Sequence, residues 1–176
     1  MLSVFLLLPS IARAQFTYTT AAGKITITGY TGPGGAVAIP DTLSGLPVNG
    51  IASYAFYNIS NLNGVTFGTN VTSIGDSAFA SCTSLTNVAL PKNVTSIGAG
   101  VFEDSDSLTA ITVDPLNLIY SSADGVLFNK SQTTLLVCPG GKTGSYPVPD
   151  TVTTIAASSF YYCHKLTSAS CGTRVS

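Results

Sequence analysis

The chain has 176 residues, of which 9% are charged, and its formal net charge is −1. Without a basic patch it offers little attraction to phosphates, so nucleic acid is excluded as its expected partner. The length suffices for one domain built of several stacked units.

The first 14 residues indicate a secretory signal peptide. Leu2–Ile11 form a short apolar stretch, and Ala12-Arg13-Ala14 follows with the small-residue spacing of a cleavage site. We therefore predict cleavage after Ala14 and a secreted or cell-surface location; a buried N-terminal strand is the alternative. The stretch is too short to span a bilayer and no second apolar run follows, so no membrane span is expected.

Residues 15–36 contain two segments that alternate apolar and polar residues, Phe16–Thr20 and Lys24–Tyr30, joined by Ala-Ala-Gly. This alternation around a short glycine-containing link predicts a β-hairpin. A stack of repeats needs a cap that hides its terminal unit, and this hairpin is placed to be the N-terminal cap.

A 23-residue repeat follows and is the strongest pattern in the chain. The interval separates the members of three apolar sets: Val48, Val71 and Val94; Phe56, Phe79 and Phe102; and Leu62, Leu85 and Leu108. A fourth copy carries Phe160, which stands 58 positions after Phe102, one period plus 35 residues. A fixed period of this length predicts a solenoid, whose units bury their apolar faces by stacking on one another. We predict that the four phenylalanines, Phe56, Phe79, Phe102 and Phe160, form one buried stack of rings.

Two periodicities alternate within each coil. Val88 and Leu90 alternate as in a strand, which Pro91 ends because it cannot donate to a ladder. The apolar residues before this strand have helical spacing: Ala78, Phe79, Cys82 and Leu85. Residues 37–116 are therefore predicted to form an α/β solenoid of 23-residue coils, each with a short parallel strand and a short helix.

The repeat also carries a family resemblance. Leu85-x-x-Val88-x-Leu90-x-x-Asn93 has the L-x-x-L-x-L-x-x-N form of leucine-rich repeats. The fuller string at 71–91, Val-Thr-Ser-Ile-Gly-x-x-Ala-Phe-x-x-Cys-x-Ser-Leu-Thr-x-Val-x-Leu-Pro, resembles the BspA-like leucine-rich repeats of microbial surface proteins. The resemblance covers residues 37–171 and implies an extracellular, non-catalytic binding or adhesive role with diverse partners. Two features depart from it: Ser105 replaces Cys in the third copy, and residues 117–151 are irregular.

The irregular unit at 117–151 contains an Asp124-Gly125 turn signal before an apolar run and a second strand candidate at Thr133–Cys138. We predict small antiparallel strands that bulge from the solenoid. Residues 152–176 form the last coil, where Ala169 and Cys171 replace larger apolar residues. This coil is expected to be uncapped, and its free strand edge would then favour self-association.

Several polar and aromatic residues are candidates for roles outside the core. Asn70 and Asn93 each begin an Asn-Val-Thr, formally a glycan acceptor, but both occupy the repeat asparagine position and are predicted to hydrogen-bond the turn backbone. The possible binding surface combines tyrosines of the helical segments with outward strand residues: Tyr54, Tyr57, Tyr161, Tyr162, Thr66, Asn87 and Thr112.

No catalytic residue, metal or cofactor is predicted. Cys82 and Cys163 share a repeat position that suits a small buried side chain, although Cys163 and Cys171 of one coil could pair as a disulfide. The cysteine spacings fit no zinc motif. His164 is expected at a solvated turn, and the acidic cluster at 103–106 on a solvated face rather than at a calcium site.

Two functions remain open. The first is an exported binding module that engages a protein or a glycan of unknown identity through the solenoid surface. The alternative is a structural spacer or appendage of a longer secreted protein that binds nothing itself. The outward strand face offers no acid, base or nucleophile, so an enzyme is not expected.

Overall fold

The computed structural model describes residues 15–175. The predicted signal peptide, residues 1–14, lies outside the described residues. The described part of the chain forms sixteen β-strands: β1 (Phe16–Ala21), β2 (Lys24–Tyr30), β3 (Gly35–Ala38), β4 (Thr42–Leu43), β5 (Leu46–Ile51), β6 (Leu62–Thr66), β7 (Ser73–Ile74), β8 (Asn87–Leu90), β9 (Ser96–Ile97), β10 (Ala110–Val113), β11 (Tyr120–Ala123), β12 (Val126–Asn129), β13 (Thr134–Val137), β14 (Gly144–Pro147), β15 (Thr154–Ile155) and β16 (Leu166–Ser170).

Two sheets run along the solenoid. In the first, β1 and β2 form an antiparallel hairpin, and β5, β7 and β9 continue from β2 as parallel strands, with β4 beside β5. Ile25 and Ile27 of β2 are fully buried, so the hairpin covers the apolar side of the coil that follows it. Strand alternation explains this, because the intervening Thr26 points to the opposite face.

The second sheet is fully parallel and consists of β3, β6, β8 and β10. Its register aligns equivalent residues of successive coils, so that Val65 lies beside Val88 and Val88 beside Ile111. These side chains point inward and are buried. The 23-residue spacing of apolar residues is therefore the spacing that places each of them against its counterpart in the next coil.

The main core holds a stack of three phenylalanine rings. The ring centroids of Phe56 and Phe79 are 4.9 Å apart, and those of Phe79 and Phe102 are 5.9 Å apart. The prediction of a fourth ring in this stack was wrong. Phe160 is only partly buried and belongs to a second core cluster, where its ring lies 6.5 Å from that of Tyr146.

Cys138 interrupts the stack. The amide of Phe56 donates to Ala78 O at 2.8 Å, and that of Phe79 donates to Val101 O at 2.9 Å. The corresponding bond to the last coil, to Ser159 O at 2.8 Å, comes from the amide of Cys138. The irregular unit thus supplies a small side chain at the phenylalanine position and separates Phe160 from the other rings.

The short helices predicted in each coil are absent from residues 15–175, where the structure assigns no α-helix. The chain returns to the parallel sheet through what we call return segments, residues 52–61, 75–84, 98–107 and 156–165. In the second of them Ser77 and Ser81 have φ angles of 50° and 58°. These left-handed residues turn the backbone every fourth position. Alternate amides therefore bond the next coil, as those of Ser77 and Ser81 do, while the amide of Ala80 donates within its own segment to Ser77 O. The apolar spacing matched a helix, but the fold is a β-solenoid.

The irregular unit does not bulge from the solenoid as predicted. β11, β12 and β13 are antiparallel neighbours, yet β13 pairs in parallel with β15, and β14 pairs in parallel with β16. Val126, Leu127 and Phe128 of β12 are all fully buried, and Leu127 belongs to the main core. Three consecutive apolar residues point to both faces of the strand, so this part of β12 is buried on both sides and packs between the two core clusters.

Candidate functional site

The outward face of the parallel sheet brings together three of the seven predicted binding residues. Thr66, Asn87 and Thr112 are exposed on β6, β8 and β10, and all three line one cavity of about 340 Å³. Their neighbours on this face include Ala38 and Ala89. Because these alanine side chains project little from the sheet, the neighbouring hydroxyl and amide groups are accessible on this face.

Hydrogen-bonding groups rather than charges define this face. The hydroxyl of Thr112 donates to Val88 O at 3.3 Å, and the amide of Asn87 donates to Thr86 Oγ1 at 3.4 Å. Both bonds are long, so these groups retain capacity for a ligand. Every residue that lines the cavity is uncharged. Most of these residues are small and apolar, so the face suits a neutral ligand that combines apolar contact with a few hydrogen bonds.

The four predicted tyrosines form two separate pairs. Tyr54 and Tyr57 lie in the first return segment with ring centroids 5.7 Å apart, and Tyr161 and Tyr162 lie in the last with centroids 4.5 Å apart. Tyr54, Tyr57 and Tyr161 are 62%, 52% and 58% exposed. Two regular coils and the irregular unit stand between the pairs, a separation of roughly 19 Å at about 4.8 Å per strand. They do not form one aromatic surface.

The repeat asparagines bond the turns of preceding coils. Asn70 Nδ2 donates to Asp41 O at 3.0 Å, and Asn93 Nδ2 donates to Thr69 O at 2.7 Å. A third member, Asn117, was missed because it opens the irregular unit. It is fully buried, and its Nδ2 donates to Val94 O at 2.8 Å and to Pro91 O at 3.0 Å. Its spacing of 24 residues from Asn93 was the available signal.

The repeat cysteine position has a similar structural role. Cys82 Sγ bonds to Phe56 O at 3.1 Å, and in the next coil Ser105 Oγ donates to Phe79 O at 3.0 Å. Cys163 Sγ bonds to Cys138 O at 3.3 Å. The hydroxyl of Ser105 therefore preserves the bond where the repeat departs from cysteine.

The thiols at the core are poor nucleophiles. Burial raises the pKa of Cys82 to about 11, so this thiol stays protonated at neutral pH. The hydrogen bond to the neighbouring Cys163 thiol, together with burial, also raises the pKa of Cys138. All four cysteines of the described residues are free, so Cys163 and Cys171 are not paired in this structure.

The remaining ionisable candidates stand apart from one another. His164 is exposed and its ring lies 5.5 Å from that of Tyr162. Asp104 accepts a hydrogen bond from Ser81 Oγ at 3.0 Å. Residues 15–175 bring no three His, Cys, Asp or Glu side chains into a metal-binding arrangement. Within the same range, no helix combines the length and apolar character that crossing a bilayer requires.

These features define a class of protein: a solenoid of leucine-rich repeats with a parallel sheet on one side. Six copies of the BspA type leucine rich repeat region match residues 38–136 and 141–176, and the chain therefore belongs to that family. The match extends through most of the irregular unit, consistent with the parallel pairing of β13 and β14. No curated protein matches the chain in sequence.

Solved structures share this fold. The pneumococcal vaccine antigen PcpA is similar over 80% of this chain and 34% of its own, with 28% identity and a TM-score of 0.72. A leucine-rich repeat protein of T. pallidum is similar over 89% of this chain and 68% of its own, with 28% identity and a TM-score of 0.64. A leucine-rich repeat protein from Eubacterium ventriosum aligns over 92% of this chain and 59% of its own, with 25% identity and a TM-score of 0.50. This chain thus spans about a third of PcpA and under two thirds of the Eubacterium protein.

Proposed function

We propose that this chain is a non-catalytic binding or adhesion module that engages a protein or a glycan through the outward face of its parallel sheet. The observation that carries the proposal is the cavity of about 340 Å³ lined by Thr66, Asn87 and Thr112. Its hydroxyl, amide and small apolar groups suit hydrogen bonding and close contact rather than proton transfer.

Export is part of the same proposal. The support is the apolar stretch at Leu2–Ile11 followed by Ala12-Arg13-Ala14, which has the form of a cleavable signal. The likeness to the pneumococcal vaccine antigen PcpA agrees with a location at or beyond the cell surface. N-terminal sequencing of the native protein tests it: a start at Gln15 is expected, and an intact Met1 would contradict export.

A binding screen tests the function. The full chain is applied to glycan and matrix-protein arrays beside two variants of equal charge. Thr66→Lys with Asn87→Lys alters the sheet face, whereas Thr19→Lys with Ala21→Lys places the same charges on exposed positions of β1. We expect a ligand bound by the native chain and the β1 variant but lost or weakened at least about tenfold, some 1.4 kcal/mol, in the sheet-face variant.

The alternative is a structural spacer or appendage of a longer secreted protein. It predicts that no array component binds the native chain above the background signal of arrays without protein. Ligands retained by all three proteins would also contradict the assignment of the sheet face.

A further inference from the structure

A cleft of about 260 Å³ opens between the third return segment and the last, on a side of the solenoid away from the sheet face. One wall runs along Ile97–Glu103 and the other along Ala156–Ser159. Its floor is apolar and includes Phe102, Leu136 and Val137. This cleft lies where the irregular unit replaces a regular coil.

Successive regular return segments are joined by hydrogen bonds that alternate backbone amides donate. In the first, Tyr54, Phe56 and Asn58 donate to carbonyls of the second at 2.8–3.0 Å. In the second, the equivalent residues Ser77, Phe79 and Ser81 donate to carbonyls of the third at 2.7–2.9 Å. This ladder contains three bonds at each junction.

The ladder breaks at the cleft. The next donors in the series are the amides of Gly100, Phe102 and Asp104, and none of them finds an acceptor within residues 15–175. Gly100 and Phe102 line the cleft. Two hydrogen-bond donors therefore stand along the wall of an apolar cavity, where leaving them unbonded is costly.

The opposite wall offers the complementary group. Carbonyls of the last return segment should accept from the preceding coil at Ala157 and Ser159, the positions equivalent to Ala99 and Val101. Ser159 O accepts from Cys138 N at 2.8 Å, but Ala157 O has no donor among the described residues. Donors on one wall thus face an acceptor on the other.

At its closed end, the cleft has the width of one extended chain. A Cβ built on Gly140 would lie 3.3 Å from Ser105 O and 3.2 Å from Tyr162 O. One backbone therefore fills the space between the third and last return segments there. Further along, the same interval is left open beside Gly100.

Charge adds a further constraint. Glu103 lines the cleft, and its carboxylate lies 2.8 Å from the position of a Cβ on Gly100. Within residues 15–175 the structure pairs no cation with it, since the ion pair there joins Lys142 and Asp124. A carboxylate at the rim of an apolar cleft favours a basic group beside an apolar one.

We propose that this cleft binds an extended peptide segment of a partner protein, which enters as the strand that the irregular unit leaves out. Carbonyls of the peptide accept from the amides of Gly100 and Phe102, and a peptide amide donates to Ala157 O. One apolar side chain packs on Phe102, Leu136 and Val137, and a neighbouring lysine or arginine faces Glu103. Backbone pairing of this kind supplies affinity, and the side-chain pocket supplies selectivity. This site is independent of the sheet face.

The test selects binders from a display library of nine-residue peptides with the full native chain. Selected sequences should place an apolar residue next to a basic one. Ala157→Phe, at an exposed position on the cleft wall, should weaken the binding of a selected peptide at least about tenfold. Ala89→Phe, on the sheet face, is the matched control and should leave the affinity unchanged, which separates this proposal from the proposed function.

Three further measurements keep the test decisive if Ala157→Phe fails to fold. Glu103→Gln alters charge without changing volume and should weaken the peptide severalfold at low salt and less at high salt. N-methylation of the peptide amide facing Ala157 should also reduce affinity, while the Gly100 and Phe102 amide signals shift on binding in nitrogen-15 NMR spectra. Binding unchanged by Ala157→Phe and N-methylation, or a selection without any binder, would overturn the proposal. Leucinamide carries an apolar side chain but no extended backbone. If it bound as tightly as the peptide, that result would also overturn the proposal.

Discussion

At the residue scale, the asparagine position shows how burial changes the contribution of one repeated side chain to stability. Asn70 and Asn93 are exposed and each bonds one backbone carbonyl, whereas Asn117 is fully buried. Asn117 also accepts the amides of Ile119 and Tyr120, both at 2.8 Å, and so satisfies four backbone groups at once. It joins the last regular coil to the irregular unit.

We expect Asn117→Ala to lower the free energy of unfolding by about 2–4 kcal/mol, because several buried backbone groups lose their partners. Asn93→Ala should cost about 1 kcal/mol, since its one bond is exposed to water. Urea denaturation followed by circular dichroism measures both. Equal losses for the two variants would contradict the role assigned to burial.

Replacing tyrosine by phenylalanine should change stability in opposite directions at two positions. Tyr146 Oη is buried without a hydrogen-bond partner among the described residues, whereas Tyr120 Oη accepts from Ile97 N at 3.1 Å and donates to Thr95 O at 3.4 Å. Tyr146→Phe removes a desolvated group with no partner and should raise stability by about 1 kcal/mol. Tyr120→Phe should lower it by a similar amount. Thermal melts of both variants, compared with the native chain, check the two signs.

At the scale of the element, the strands followed from the sequence and the helices did not. Val88 and Leu90 alternate and are buried in a strand, as their spacing predicted. Spacing cannot distinguish a helix from a segment that turns at every fourth residue, because both place apolar side chains on one side. The left-handed Ser77 and Ser81 decide the matter, and serine at such positions gives no sequence signal comparable to glycine.

The irregular unit limited prediction for a related reason. Its strands were found, but the register that places Cys138 at the phenylalanine position depends on pairing with a coil 21 residues later, at Ser159. A repeat that changes its length locally gives no fixed interval from which to infer this partner. The cleft beside Gly100 follows from the same register and could not be predicted.

The repeat phenylalanines should contribute unequally to stability. Phe79 is fully buried between two rings, and its truncation to Ala should cost about 3–5 kcal/mol. Phe160 is partly exposed in the smaller cluster, so Phe160→Ala should cost distinctly less. Chemical denaturation of the two variants provides the comparison, and an equal or larger loss for Phe160 would refute the interruption at Cys138.

At the scale of the whole molecule, burial falls towards the last coil. Val88 and Leu90 of β8 are buried, whereas β16 has a half-buried Leu166 and is exposed from Thr167 to Ser170. Few buried contacts lower the free energy of local opening. We expect the amides of β16 to exchange with deuterium much faster than those of β8 in a dilute monomer. Equal protection of the two strands would show that burial does not govern local stability here.

The same strand should promote self-association. β16 pairs with β14 along one edge, and its other edge is unpaired within residues 15–175. An exposed strand edge can pair with another chain. Ser170 O accepts from Val148 N of the neighbouring chain segment, so Ala169, the residue before it, directs its amide to the unpaired edge. Sedimentation velocity should show a concentration-dependent dimer that weakens when Ala169→Pro removes this amide. A monomer at all concentrations would contradict the expectation.

The threonine ladder along the turns has a consequence for how such a protein can change in length. Thr72 Oγ1 donates to Asn49 O at 3.1 Å, and Thr95 Oγ1 donates to Thr72 O at 3.3 Å, each across 23 residues. Every junction of this kind is chemically the same. Recombination that duplicates or deletes the coding segment for one whole period therefore recreates a junction that already exists, wherever within the period the exchange occurs. Selection can then adjust the number of coils, and with it the reach of the protein, without passing through a misfolded ancestor.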